Sequence, residues 1–176
     1  LPSERTAPSN RFAVLGLLFV VYSFNFVDRQ ILGILAQPIK AELMLSDTQL
    51  GLLGGLAFAL FYTGLGIPIA WLADRTSRTW IMTVALTVWS GFTAVCGLAT
   101  NFLQLFLARV GVGVGEAGGV APAYSLISDY FPPRERARAL AAYSFGIPVG
   151  SAAGIALGGF IASTVDWRAA FIFVGL

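Results

Sequence analysis

FAVLGLLFVVYSFNFVDRQILGILA, residues 12–36, decides how this chain folds. A helix needs about 20 apolar residues to cross a bilayer, and this stretch suffices. Yet it holds Asp28 and Arg29 side by side. A second apolar stretch, residues 102–128, holds Arg109 and Glu116 in the run RVGVGVGEA (Arg109–Ala117). One charge at the bilayer centre costs ~3 kcal/mol on insertion scales. Four unpaired charges cost on the order of 10 kcal/mol, comparable to the stability of a whole domain. They have to pair or face water, and such residues mark transport paths and proton relays.

Composition agrees with a membrane setting. The chain is 57% hydrophobic and 11% charged, where an average soluble domain has about 25% charged residues. Spans are predicted near 12–36, 49–73, 80–99, 102–128 and 139–163. A sixth is predicted over 167–176, cut short. β-barrel alternation is absent, so helices are the remaining way across. The first span is too long for a signal peptide and no A-x-A-like site follows it, so it is read as retained. The expected fold is all-α and membrane-integral: a cytoplasmic tail over 1–11, five complete transmembrane helices and the start of a sixth. The start at Leu1 and the stop at Leu176 are expected to fall inside a longer protein.

Charge placement sets the orientation. Arg5, Arg11, Arg75, Arg78, Arg134, Arg136 and Arg138 fall on one side of the predicted spans, and Lys40 and Arg168 on the other. Cytoplasmic loops carry the excess of Lys and Arg, so the N-terminus is expected inside. Ser46 and Gln49 form a capping-box pattern opening the second helix. Pro132-Pro133 stops the fourth. Gly146, Gly150, Gly154 and Gly158 recur every four residues, a ridge on which another helix packs closely. Gly111, Gly113, Gly115, Gly118 and Gly119 thin the fourth helix in the same way.

Helical rise places the charges relative to one another. At ~1.5 Å per residue, Asp28 lies ~24 Å from the cytoplasmic edge, Arg109 ~28 Å and Glu116 ~18 Å. Asp28–Arg109 and Arg29–Glu116 pairs are both feasible if the first and fourth helices are neighbours. Arg109 and Glu116, seven apart, share a face. Asn25 shares a face with Arg29 and extends the network. Buried pairs stabilise poorly compared with apolar packing, which disfavours a purely structural role. A desolvated carboxylate beside a movable arginine is a proton switch. Two arginines also suit an anionic head group.

Other chemistries are excluded. Cys96 is the one cysteine and histidine is absent, so neither a disulfide nor a metal-ligand cluster is available. No cofactor and no metal are expected, and no nucleic-acid partner. No nucleophile–base–orienter set occurs. GVGVGE lies in a membrane helix and follows no strand, so it is no dinucleotide motif. An enzyme is not expected.

The loop AWLADRTSRTW (Ala70–Trp80) resembles the signature loop of the major facilitator superfamily, with Ala70 and Ser77 where that pattern has glycine. FVDRQIL (Phe26–Leu32), QPIKAEL (Gln37–Leu43), LSDTQLGLLGGLAFALFY (Leu45–Tyr62), RVGVGVGEA, ISDYFPP (Ile127–Pro133) and DWRAAF (Asp166–Phe171) together resemble the Spinster branch of that superfamily. The resemblance implies a transporter of two six-helix halves working by alternating access, with this chain as most of the N-terminal half and the C-terminal half as its partner. It implies that Asp28, Arg29 and Glu116 serve proton coupling and the substrate cavity, and depth and helix face add Arg109 and Asn25 to that site. It implies a cytoplasmic gate of Asp74, Arg75, Arg78 and Asp129. Phe24, Phe58 and Tyr62 are candidate cavity-lining residues. The implied partners are protons, membrane lipid and an amphipathic, anionic, lipid-like molecule of the lysophospholipid or sphingolipid-phosphate type. The implied location is the plasma membrane, the inner membrane in a bacterium. The alternatives are a superfamily transporter of small organic anions or drugs, and a non-transporting receptor or scaffold.

Overall fold

The structure is a computed structural model that describes residues 10–73, 75–164 and 166–176; the side chains of Ala57, Phe58, Leu60, Ala162 and Ser163 lie outside the description. The described residues form helices α1 (Arg11–Ile34), α2 (Ala36–Glu42), α3 (Asp47–Gly51), α4 (Ala57–Ala73), α5 (Arg78–Cys96), α6 (Phe102–Ala117), α7 (Val120–Tyr130), α8 (Pro133–Ser144), α9 (Gly146–Thr164) and α10 (Trp167–Gly175). Among the described residues, four stretches are long and apolar enough to cross a membrane: Arg11–Ile34, Asp47–Ala73, Arg78–Cys96 and Pro133–Ile161. The chain is a multi-pass membrane segment.

The helices lie along the stretches predicted as spans, with informative departures. The second span opens at Asp47 under the expected capping box: Ser46 Oγ accepts from the Gln49 N–H, and Gln49 Oε1 accepts from the Ser46 N–H. It then passes through one π-helical turn, Leu52–Leu56, before α4. The fourth span is broken. Its pieces α6 and α7 meet at Gly118 and Gly119, whose N–H groups turn back to the Gly115 and Glu116 carbonyls. Two adjacent glycines cost ~1 kcal/mol each within a helix, which makes this the weak point. The fifth span starts well before residue 139. Pro133 opens α8 with Glu135 in the first turn, both favourable at a helix N-terminus. Arg134, Arg136 and Arg138 therefore ride on a helix and not on a loop.

Glycine sets how closely the helices approach. Along α9, a Cβ on Gly150 would strike the Ser23 carbonyl and stand 2.9 Å from Phe26 Cβ; one on Gly154 would stand 2.9 Å from Gln30 Cβ. The predicted ridge is thus the seat of α1, and α1–α9 is the most extensive helix pair. A Cβ on Gly115 of α6 would stand 2.7 Å from Trp89 Cα on α5. The core divides into two apolar clusters. One holds Ile31, Leu35, Leu53, Leu105, Val112 and Phe171, and the other Leu18, Ala123, Ile127 and Tyr143 toward the arginine-rich end.

At the opposite end a polar clamp joins three segments. Glu42 at the end of α2 accepts from Arg168 Nη2 (2.6 Å) and from the Trp167 indole N–H (2.5 Å). Arg168 also donates to the Ala99 carbonyl in the turn between α5 and α6. Hydrogen bonds from Trp167 and Arg168 hold the Glu42 carboxyl below the usual glutamate range.

Candidate functional site

The four intramembrane charges come together between the two apolar clusters. Arg109 Nη1 on α6 donates to Asp28 Oδ2 on α1 at 3.0 Å. Arg29 Nε and Nη2 donate to Glu116 Oε2 at 3.1 and 2.9 Å. Both pairs anticipated from helical rise are formed. Asp28, Arg109 and Glu116 are almost wholly removed from solvent (0, 2 and 2% exposed). Arg29 is only half sequestered. Its guanidinium lies 5.2 Å from the Phe26 ring and 5.1 Å from the Tyr62 ring, close enough for cation–π attraction at both.

Two cavities flank this quartet. The one toward the arginine-rich end has a volume of about 300 Å³, and its largely apolar lining includes Asn25, Trp89 and Glu116. The other has about 370 Å³ and is lined by Arg29, Arg109, Leu32, Gly33, Ala36, Leu50 and Gly54. The π-helical turn supplies Gly54, so local widening of the backbone borders the arginines; such turns recur at functional sites. The carboxylates are engaged on one oxygen each. Among the described residues, Asp28 Oδ1 and Glu116 Oε1 have no partner, nor does Asn25 Oδ1. A buried oxygen left unsatisfied costs about 1–3 kcal/mol, which packing alone gives no reason to bear.

At the arginine-rich end, Arg78 at the start of α5 pairs with Asp129 at the end of α7. Arg11 pairs with Glu135 at 2.8 Å, tying α1 to α8. Arg75 lies over the Trp71 ring at 3.8 Å. Asp74 lies outside the described residues, as does the Phe58 side chain. Phe24 is half exposed and lines neither cavity. Sequence reasoning did not single out Trp89, Glu135 or the Glu42–Trp167–Arg168 clamp. The clamp residues do sit in two of the quoted blocks, but nothing in a single sequence pairs positions so far apart.

A family model described as Major Facilitator Superfamily matches residues 18–176. The chain belongs to the major facilitator superfamily. It is 37% identical over 173 residues to an MFS-type efflux pump of Mycolicibacterium smegmatis, covering 98% of this chain and 40% of the relative. It is 30% identical over 165 residues to the hexuronate transporter of Bacillus subtilis, covering 94% and 39%. Among solved structures, it resembles a bacterial homologue of the human lysosomal transporter Spinster in inward-facing unoccupied and occupied conformations. The TM-scores are 0.87 and 0.89 at 40 and 41% identity, covering 96% of this chain and 41 and 42% of those chains. The chain thus spans about 40% of the length of the curated relatives it matches. These relatives are transporters and not enzymes, and the chain is Spinster-like within the superfamily.

Proposed function

We propose that this chain forms most of the N-terminal six-helix half of a proton-coupled secondary transporter that works by alternating access and moves an amphipathic, anionic, lipid-like molecule. One observation carries the coupling. Glu116 is held by Arg29 on one oxygen while its other oxygen has no partner. A carboxylate in that position can take a proton and release the arginine, or lose the proton and recapture it. Arg29 is the partner best placed to move, because it is the less buried of the pair. Freed, it is a bidentate donor for a phosphate or carboxylate.

The substrate path lies between the halves. Phe24 and Tyr62 line it, Phe58 with them. Arg75, Arg78 and Asp129, with Asp74, form the cytoplasmic gate, for which the Arg78–Asp129 contact gives support. The lipid-like substrate rests on similarity to the Spinster homologues. A second reading, a small organic anion, is favoured by the hexuronate transporter among the relatives and by two arginines sharing one cavity.

The test is flux of a labelled lysophospholipid into proteoliposomes of the full-length protein, with and without a pH gradient, beside Glu116→Gln. Gradient-stimulated flux that is lost in the variant supports the proposal. Absence of lysophospholipid flux together with gradient-driven hexuronate flux selects the organic-anion reading. Unchanged coupling in Glu116→Gln removes Glu116 from the mechanism.

A further inference from the structure

α10 runs antiparallel to α5, and the apolar cavity on the arginine-rich side lies along the extension of its path. Two glycines fix the line. A Cβ on Gly97, just past the end of α5, would stand 2.8 Å from Ile172 Cγ1 in α10. A Cβ on Gly175, at the end of α10, would strike the Ala94 backbone nitrogen and stand 2.7 Å from the Ser90 carbonyl oxygen. As α10 advances from Ile172 to Gly175, its neighbour on α5 steps back from Gly97 toward Ser90, in the direction of the arginine-rich end. The next turns of α5 in that direction present Trp89, Leu86, Thr83 and Thr79, and all four line the cavity.

The other walls suit a helix. α1, on which α10 already packs, supplies Leu17 and Val21. Gly119 and Ala123 also line the cavity, and such small residues let a helix backbone come close. The cavity is a groove open along one side: Leu17 on one wall is 66% exposed and Leu86 on the other 37%. Length agrees as well. The nine residues of α10 rise ~13.5 Å, less than half of the ~30 Å of hydrocarbon that a spanning helix crosses. From Trp89 to Thr79 the groove adds a rise of ~15 Å, which completes the crossing. The curated relatives extend well beyond the matched part, since the chain covers 40 and 39% of them.

We infer that this groove is the seat of the continuation of α10, with about ten to twelve apolar residues following Leu176 lying between α1 and α5. The register follows from the glycine contacts. Equal rise in two antiparallel helices brings the residue about five positions past Leu176 beside Leu86, and the residue about twelve past it beside Thr79. The groove is thus filled by protein in the whole molecule, and neither substrate nor lipid enters the bundle there. The inference is independent of the coupling role of Glu116.

Disulfide mapping of the full-length protein in lipid tests it. On a cysteine-free background, Leu86→Cys is combined with single cysteines scanned over two turns past Leu176. Val84→Cys, on the same helix but outside the cavity lining, is the reference. A disulfide needs Cα atoms within about 7 Å, so cross-linking is expected with Leu86→Cys, strongest about five positions past Leu176, and is expected to be lost with Val84→Cys. A photoactivatable leucine at Leu86 in the otherwise native chain reads the same contact without cysteines, and is expected to attach to the peptide that follows Leu176. Equal disulfide yields from Leu86→Cys and Val84→Cys, or none at any scanned position, overturn the helix seat. Attachment of the photoactivatable leucine to phospholipid overturns it and makes the groove a lipid site. None of these readouts uses flux, so failure here leaves the coupling proposal standing, and unchanged coupling in Glu116→Gln leaves the helix seat standing.

Discussion

Asp28 and Arg109 make the sharpest test of why charges lie this deep. Their atoms are 3.0 Å apart and both residues are at most 2% exposed. At an effective dielectric of ~20, two unit charges at that separation attract by ~5.5 kcal/mol. Removing one partner leaves the other buried and uncompensated, which costs about 3–5 kcal/mol. Asp28→Asn and Arg109→Gln are therefore each expected to destabilise the full-length protein by that amount. The double variant places two neutral amides at hydrogen-bond distance and is expected to recover to within ~1 kcal/mol of the parent, because paired burial costs about as much as it returns. The coupling energy of the cycle is then about 5–10 kcal/mol, far above the ~0.5 kcal/mol scatter between independent sites. Reversible unfolding in bicelles supplies the stabilities, and flux on the same preparations supplies function. A stable double variant that does not transport shows charges kept for work and not for packing. Additive losses in the double variant refute the pairing argument, and full transport by it refutes a functional role for the pair.

Two further outcomes follow from the geometry. Gly150→Ala drives a methyl into the Ser23 carbonyl and is expected to cost about 1–3 kcal/mol as overpacking. Gly159→Ala has no atom within 4 Å of the new Cβ and is expected to gain up to ~1 kcal/mol of helix propensity; equal signs in thermal unfolding would rule out the glycine ridge as the seat of α1. The Glu42 clamp has a definite pH sign. Its carboxyl is held below the ordinary value of 4.5 by Trp167 and then Arg168. Its stabilisation is therefore full above pH 4.5 and is lost as pH falls through the lower folded value. The Trp167 indole resonance is expected to hold its position down to about pH 4.5 and to move below it, and Glu42→Gln is expected to abolish that movement.

Much of this was legible in the chain because membrane physics narrows the choices. Apolar length fixed where helices cross, and the expense of buried charge forced Asp28, Arg29, Arg109 and Glu116 toward one another. Rise per residue was enough to choose the partners. The capping box at Ser46 and the glycine spacing of α9 are local patterns read directly. What escaped depends on relations a single sequence does not carry. The break at Gly118-Gly119 competes with a continuous apolar run, and hydropathy outweighed it. The start of α8 was marked by Pro133 and Glu135, yet three arginines there read as a loop. Trp89 was not singled out at all. Its indole N–H is buried without an acceptor among the described residues, a fact of packing that a single sequence does not carry.

The intramembrane quartet sums to zero: two carboxylates against two guanidiniums. A membrane potential does electrical work only on net charge that is displaced, about 2.3 kcal/mol per elementary charge per 100 mV. Moving the intact quartet through the field is therefore electrically silent. Once a proton sits on Glu116 the same movement carries one positive charge. On the proposed reading, voltage then acts on the protonated form without substrate, and not on a form that carries both a proton and a singly charged anion.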